Sequence, residues 1–237
     1  MTTNEFSTEF DILYDSISSE GAPELDVYEK SVFLTKAQLE IIKEYNGPIN
    51  KYRRSFEGSD KRRVDLQELI KDHSATPVKA SNGVSDNSFF VDLPIDCFLI
   101  KFEKSYIVNN GNEIGLDTVP IKYDEYQEKS SNPFRRPDDT NVMRLDLSGN
   151  KVELVSTKDL KRYQIRYVKY PSPIVLDDLN TIYPGETLTV DGVNTRSECE
   201  LNQEIHREIL DRAVQLAMLS YKQGALSAKV QLDNRNN

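Results

Sequence analysis

The chain has 237 residues, with 30 Lys and Arg set against 39 Asp and Glu, a formal charge of −9. That balance excludes a general role in wrapping nucleic acid, because neutralised phosphates drive most non-specific affinity. Hydrophobic residues make up 38%, with 12 Tyr and 9 Phe, which excludes a wholly disordered chain and supplies a packed core.

The first 29 residues hold eight acids and no Lys or Arg. Phe6, Phe10, Leu13, Tyr14 and Ile17 recur at helical spacing, which predicts an acidic amphipathic helix ended by Gly21-Ala22-Pro23. Its acids are either a solvated face or a docking surface for a basic neighbour. Thr35 and Gln38 have the spacing of a capping box, so a second helix is expected to start there and stop at Asn46-Gly47-Pro48. Ser59 is placed to cap a third helix carrying Val64, Leu66, Leu69 and Ile70.

Residues 76–88 are rich in Ser, Asn, Asp and Gly and mark a loop. Strand-like runs follow at 89–93, 97–108, 119–123, 142–147, 151–155 and 163–170, separated by turn signals such as Asn109-Asn110-Gly111 and Ser148-Gly149-Asn150. In the last run Tyr163, Ile165 and Tyr167 share one face, a pattern that fits antiparallel strands with one wet side. The polar stretch from Tyr123 to Asp139, with Pro133 and Pro137, reads as an extended surface loop. Residues 198–223 return to helix, with Ile205, Ile209, Ala213, Leu216 and Ala217 in a stripe suited to close packing.

The expected fold is therefore α+β. A helical bundle (residues 1–75 and 198–225) carries an inserted, antiparallel β-rich domain (76–197), and 226–237 form a flexible tail.

Catalytic chemistry finds little support. Nucleophilic pairs need a histidine, and only His73 and His206 exist. His73 is expected at a helix end beside a loop, and His206 as a surface or packing residue in the first turn of the last helix. Neither has the spacing of a metal ligand set, and no phosphate-cradling glycine motif occurs. Asp138-Asp139 and Asp177-Asp178 read as turn residues. Cys97 and Cys199 stand far apart with no Cys-x-x-Cys pair, so the chain is no disulfide scaffold and a reduced folding environment is expected. No run reaches the roughly 20 apolar residues that span a bilayer, and the first residues do not form a signal peptide. No catalytic residue, metal, cofactor or membrane contact is expected.

The basic clusters carry more. Lys51 to Arg63 holds Arg53, Arg54, Arg62 and Arg63, with Tyr52 and Phe56 interleaved. Nucleic-acid contact, a complement to an acidic protein surface and plain surface charge all fit it, and Arg135-Arg136 invites the same readings. Charge segregated along one chain is what a head-to-tail ring uses, since such an interface joins two different patches. The candidate interface set is Glu5, Glu9, Asp11 and Asp15 on the acidic side, and Arg53, Arg54, Arg62, Arg63, Arg135 and Arg136 on the basic side.

The runs 25–38 (Leu25-Asp26-Val27-Tyr28 onward), 56–63 (Phe56-Glu57-Gly58-Ser59 onward), Asn132-Pro133-Phe134-Arg135-Arg136-Pro137, 167–176 and 199–217 resemble neck and tail ring proteins of crAss-like and other podovirus-type phages. The order of helices, strand-rich insertion and closing helix is similar to the head-to-tail adaptor or tail tubular protein A type. The resemblance covers most of the chain and implies a structural role in the virion neck or tail, with assembly in the host cytoplasm. It also implies a dodecameric ring below the portal, in contact with the portal and other ring proteins, around a channel through which DNA passes. The alternative is a nucleic-acid-binding accessory protein acting through residues 51–63.

Overall fold

A computed structural model describes residues 1–17, 24–46, 64–109 and 111–235. The fold is α+β, and the chain divides into two compact units: Met1–Leu69 with Pro171–Asn237, and Ile70–Tyr170 between them.

The first unit is built on three long helices: α1 (Thr3–Ile17), α2 (Val27–Asn46) and the closing helix, which runs from His206 to Arg235. Both α1 and α2 open with reciprocal caps. Thr2 N–H donates to Glu5 Oε2 (2.7 Å) while Glu5 N–H donates to Thr2 Oγ1 (3.3 Å). Asp26 and Glu29 repeat the exchange at 3.1 and 2.7 Å. Phe6, Phe10 and Tyr14 form the buried stripe of α1, and Leu34, Ala37, Ile41 and Ile42 that of α2. Both helices pack on the closing helix, whose Ile209, Ala213 and Ala217 are buried.

Helix α2 begins eight residues before Thr35, so the capping box expected at Thr35 and Gln38 does not exist. Those side chains are buried and serve an extended strand of chain instead. Thr35 Oγ1 donates to Ile174 O (3.2 Å) and accepts from Ile174 N–H (3.0 Å). Gln38 Nε2 donates to Ser172 O (3.1 Å), and Ser31 Oγ accepts from Leu176 N–H (3.1 Å). The helical spacing 31, 35, 38 thus meets the two-residue spacing 176, 174, 172. A polar stripe on a helix satisfies main-chain groups that have no sheet partner there. Beyond it, Val175, Leu179 and Val190 pack with Val27, Tyr28 and Val32, around the short helix Leu179–Ile182.

The second unit is an eight-stranded sheet: β1 (Ile70–Ala75), β2 (Val78–Lys79), β3 (Ser88–Asp92), β4 (Cys97–Asn109), β5 (Asn112–Pro120), β6 (Asn141–Leu147), β7 (Lys151–Val155) and β8 (Arg162–Lys169). Their order across the sheet is β1-β8-β4-β5-β6-β7-β3-β2. The two edge strands are joined by Thr76 and Pro77 alone. Laid flat, seven strand spacings would part the edges by ~34 Å, whereas three Cα–Cα steps reach at most ~11 Å. The sheet must curl. Its concave face holds Phe89, Val91, Ile107, Leu116, Val142, Val152, Leu154, Tyr163, Ile165 and Tyr167 in one apolar cluster.

Set into the unit is a polar group. Arg144 Nε lies 3.0 Å from Glu103 Oε2, with both side chains about nine-tenths buried. Their contact is an ion pair without hydrogen-bond alignment. Tyr163 Oη donates to the same Glu103 oxygen at 2.7 Å, and Arg144 Nη1 reaches Asp146 Oδ1 at 2.7 Å. Burial pushes the Glu103 carboxyl above its ordinary range, while Arg144 and Tyr163 pull it back.

Three expectations are corrected. The region is not wholly antiparallel: β5 and β6 run parallel, Asp117 opposite Asn141 through Pro120 opposite Arg144. Parallel neighbours need a crossover of a dozen or more residues, usually helical. The polar stretch after Tyr123 accordingly holds a helix, α3 (Tyr123–Ser131), not a loop throughout. Tyr126 of α3 covers Ile121, Met143, Leu145 and Val155 on the outer face. The expected third helix does not reach Ile70, because that residue opens β1 on the edge beside β8, with His73 opposite Ile165. His73 is thus a strand residue. Ser59, the proposed cap, lies outside the described residues.

Candidate interface surfaces

The acids of α1 divide by role. Glu5 is committed to its cap, and the amide donor lowers its carboxyl pKa. Asp11 holds Lys30, Oδ1 to Nζ 2.6 Å. Glu9 is half-exposed and Asp15 exposed, and among the described residues neither has a cationic partner within 4 Å. Between them Ile12 is 62% exposed. Residues 9, 12 and 15 share a helix face, so an apolar side chain stands between two carboxylates on solvent.

On the strand unit, the chain leaving α3 turns tightly. Asn132 Oδ1 accepts from Phe134 N–H (3.0 Å), and Asn132 O accepts from the amides of Arg135 and Arg136 at 3.0 and 2.9 Å. Six residues on, Asp138 Oδ1 accepts from Thr140 N–H (2.7 Å) and Asn141 N–H (2.9 Å), which lowers that carboxyl. Both ends of the loop are therefore fixed. It presents Phe134, 95% exposed, beside exposed Arg135 and Arg136. Aromatic and Arg side chains are enriched in protein interfaces, which makes this loop a candidate contact surface. Ile95, 91% exposed, projects similarly from the connection between β3 and β4.

Arg53, Arg54, Arg62 and Arg63 lie outside the described residues. Phe134 and Ile12 are the side chains that the candidate set lacked. The signal for Phe134 was an aromatic between two prolines in a polar stretch; for Ile12, an apolar residue off the helix stripe. Asp178 caps the Leu179–Ile182 helix through Asn180 N–H (3.0 Å), so Asp178, like Asp138, serves a turn.

His206 is 3% exposed and packs on Phe6, ring centroids 5.3 Å apart. Its Nε2 lies 2.8 Å from Leu201 O, an acceptor only, which fixes the Nε2–H tautomer. Burial lowers its pKa below 6.5. The unfolded chain then takes up the proton first as pH falls, so stability is full above about 6.5 and is lost from there down through the depressed folded value. Thermal unfolding midpoints are expected to drop between pH 7 and 5, with a shallower drop in His206→Gln. Equal slopes would exclude this histidine as the source.

Among the described residues, no group of three His, Cys, Asp or Glu side chains is placed to hold a metal, and no helix is long and apolar enough to cross a membrane. Two surfaces of opposite charge each display an exposed apolar side chain, Ile12 between Glu9 and Asp15 and Phe134 beside Arg135 and Arg136.

Residues 1–229 match the family described as phage tail ring protein 3/4, and the chain belongs to that family of structural ring proteins. It is similar to "Ring protein 4/5" of Bacteroides phage crAss001, with 42% identity covering all of both chains. It is also similar to "Ring protein 3" of the same phage, 38% identical over 94% of this chain and 97% of that one.

Proposed function

We propose that the chain is a ring-forming subunit of the neck or tail of a tailed-phage virion, connecting the portal to the tail and lining part of the DNA channel. The observation that carries this reading is similarity along the whole length to two ring proteins of a single phage. Partners are further copies of the chain, twelve in a closed ring, together with the portal and neighbouring ring proteins, and DNA passes through during ejection. The chain works by binding rather than catalysis, first in the host cytoplasm and then in the virion. Two unlike patches per copy suit a heterologous interface, which closes when each step rotates by the right angle. Three-dimensional electron microscopy of purified virions is expected to show this chain as a ring on the tail axis. Its absence from purified virions sinks the reading. An accessory protein acting on nucleic acid through 51–63 would be missing in that way, and would bind free DNA with a steep salt dependence.

A further inference from the structure

We infer that the Phe134–Arg136 loop of one copy docks on the outer face of α1 of the next copy, around Ile12. This rests on the ring reading above and names the contact that joins its subunits.

The loop side is preorganised: Asn132 and Asp138 hold its two ends, so little conformational entropy is lost when Phe134 is covered. Beside Phe134, Val119, Ile121 and Met143 form the apolar part of a hollow of about 320 Å³, whose polar lining is Arg135, Asn141 and Lys129, the last already paired with Glu125. Among the described residues, Arg135 and Arg136 have no carboxylate within 4 Å. The helix side has the opposite character. Ile12 projects from α1 between Glu9 and Asp15, whereas Asp11 is already held by Lys30. Ile12 of one copy fits the hollow of the other, with one of Glu9 and Asp15 meeting Arg135 at its rim and the other meeting Arg136 next along the loop. The occupant is a second copy because both halves are displayed by one chain as different patches, the requirement for head-to-tail closure.

The test uses full-length chains produced together during assembly of the particle. One carries Ile12→Cys, the other Phe134→Cys, and each has its own tag, so a disulfide bearing both tags joins two copies. Purified particles under mild oxidation are expected to yield that species, and either variant paired with a chain of wild-type sequence, which keeps the free thiols of Cys97 and Cys199, none. R135E/R136E in the Phe134→Cys chain is expected to lower its yield at least tenfold. Adding E9R/D15R to the Ile12→Cys chain is expected to restore it, a rescue that a misfolded variant would not show. If particles contain the ring but the doubly tagged species is missing, the contact is wrong and the ring reading stands. The contact is equally wrong if Phe134→Cys couples to another virion protein. If the chain is absent from particles, the ring reading fails and this inference with it.

Discussion

Arg144→Met is expected to lower the stability of the strand unit by about 3–5 kcal/mol, the usual cost of removing one member of a buried ion pair. Methionine replaces the stem of the arginine, so the loss is electrostatic. Glu103 would keep its Tyr163 partner at 2.7 Å but lose the cation 3.0 Å away, in a site where its side chain is about one-tenth exposed. Its carboxyl is already raised by burial, and without Arg144 it rises further. An acid with a raised folded pKa binds its proton more tightly in the native state. The variant should therefore regain stability as pH falls through that value, down to the ordinary 4.5. R144M/E103Q is expected to recover most of the loss at neutral pH. Denaturant titrations of the four proteins in the cycle measure this. A cost under 1 kcal/mol for Arg144→Met would show that water reaches Glu103.

The second large effect is expected at Thr35→Val, at about 2–4 kcal/mol, since two buried main-chain groups would each lose their partner. Thr35 is 5% exposed and Ile174 fully buried. One hydroxyl serves both the N–H and the carbonyl of Ile174. Valine keeps the shape and cannot form either bond. Thr35→Ser keeps both and gives up a methyl group, so it should cost much less. Hydrogen exchange at the Ile174 amide is expected to accelerate in the valine variant and stay slow in the serine variant. Similar stability in the two would mean that the hydroxyl does not hold this segment.

These two sites show where sequence reading stops. Strands such as β7 and β8 were legible, because Tyr163, Ile165 and Tyr167 alternate with Gln164 and Arg166 and the pleat turns that pattern into one buried face. The stripe Phe6, Phe10, Tyr14 was legible for the same reason at helical period. β1 was not: only Ile70 and Ala75 are apolar in it, and pairing with β8 creates the strand. Helix α3 buries no residue fully, so its sequence carries no stripe, and the parallel pair it bridges depends on partners distant in sequence. Thr35 and Gln38 fitted a local capping rule whose spacing recurs in helix interiors. Their true partners lie more than 130 residues away. Of the candidate surfaces, the charges were visible and the exposed Phe134 and Ile12 were not, since solvent exposure follows from what the rest of the fold leaves uncovered.

The two-residue link between β1 and β2 bears on crowding. Identical chains brought to high local concentration tend to add strand to strand wherever a ladder is left open, and such growth has no natural stopping point. Here the last strand on one side is two residues long, and the connection draws it back toward the other side. In the ring proposed above, the contacts between copies would then fall to side chains, which substitutions can retune one at a time without disturbing the scaffold that displays them.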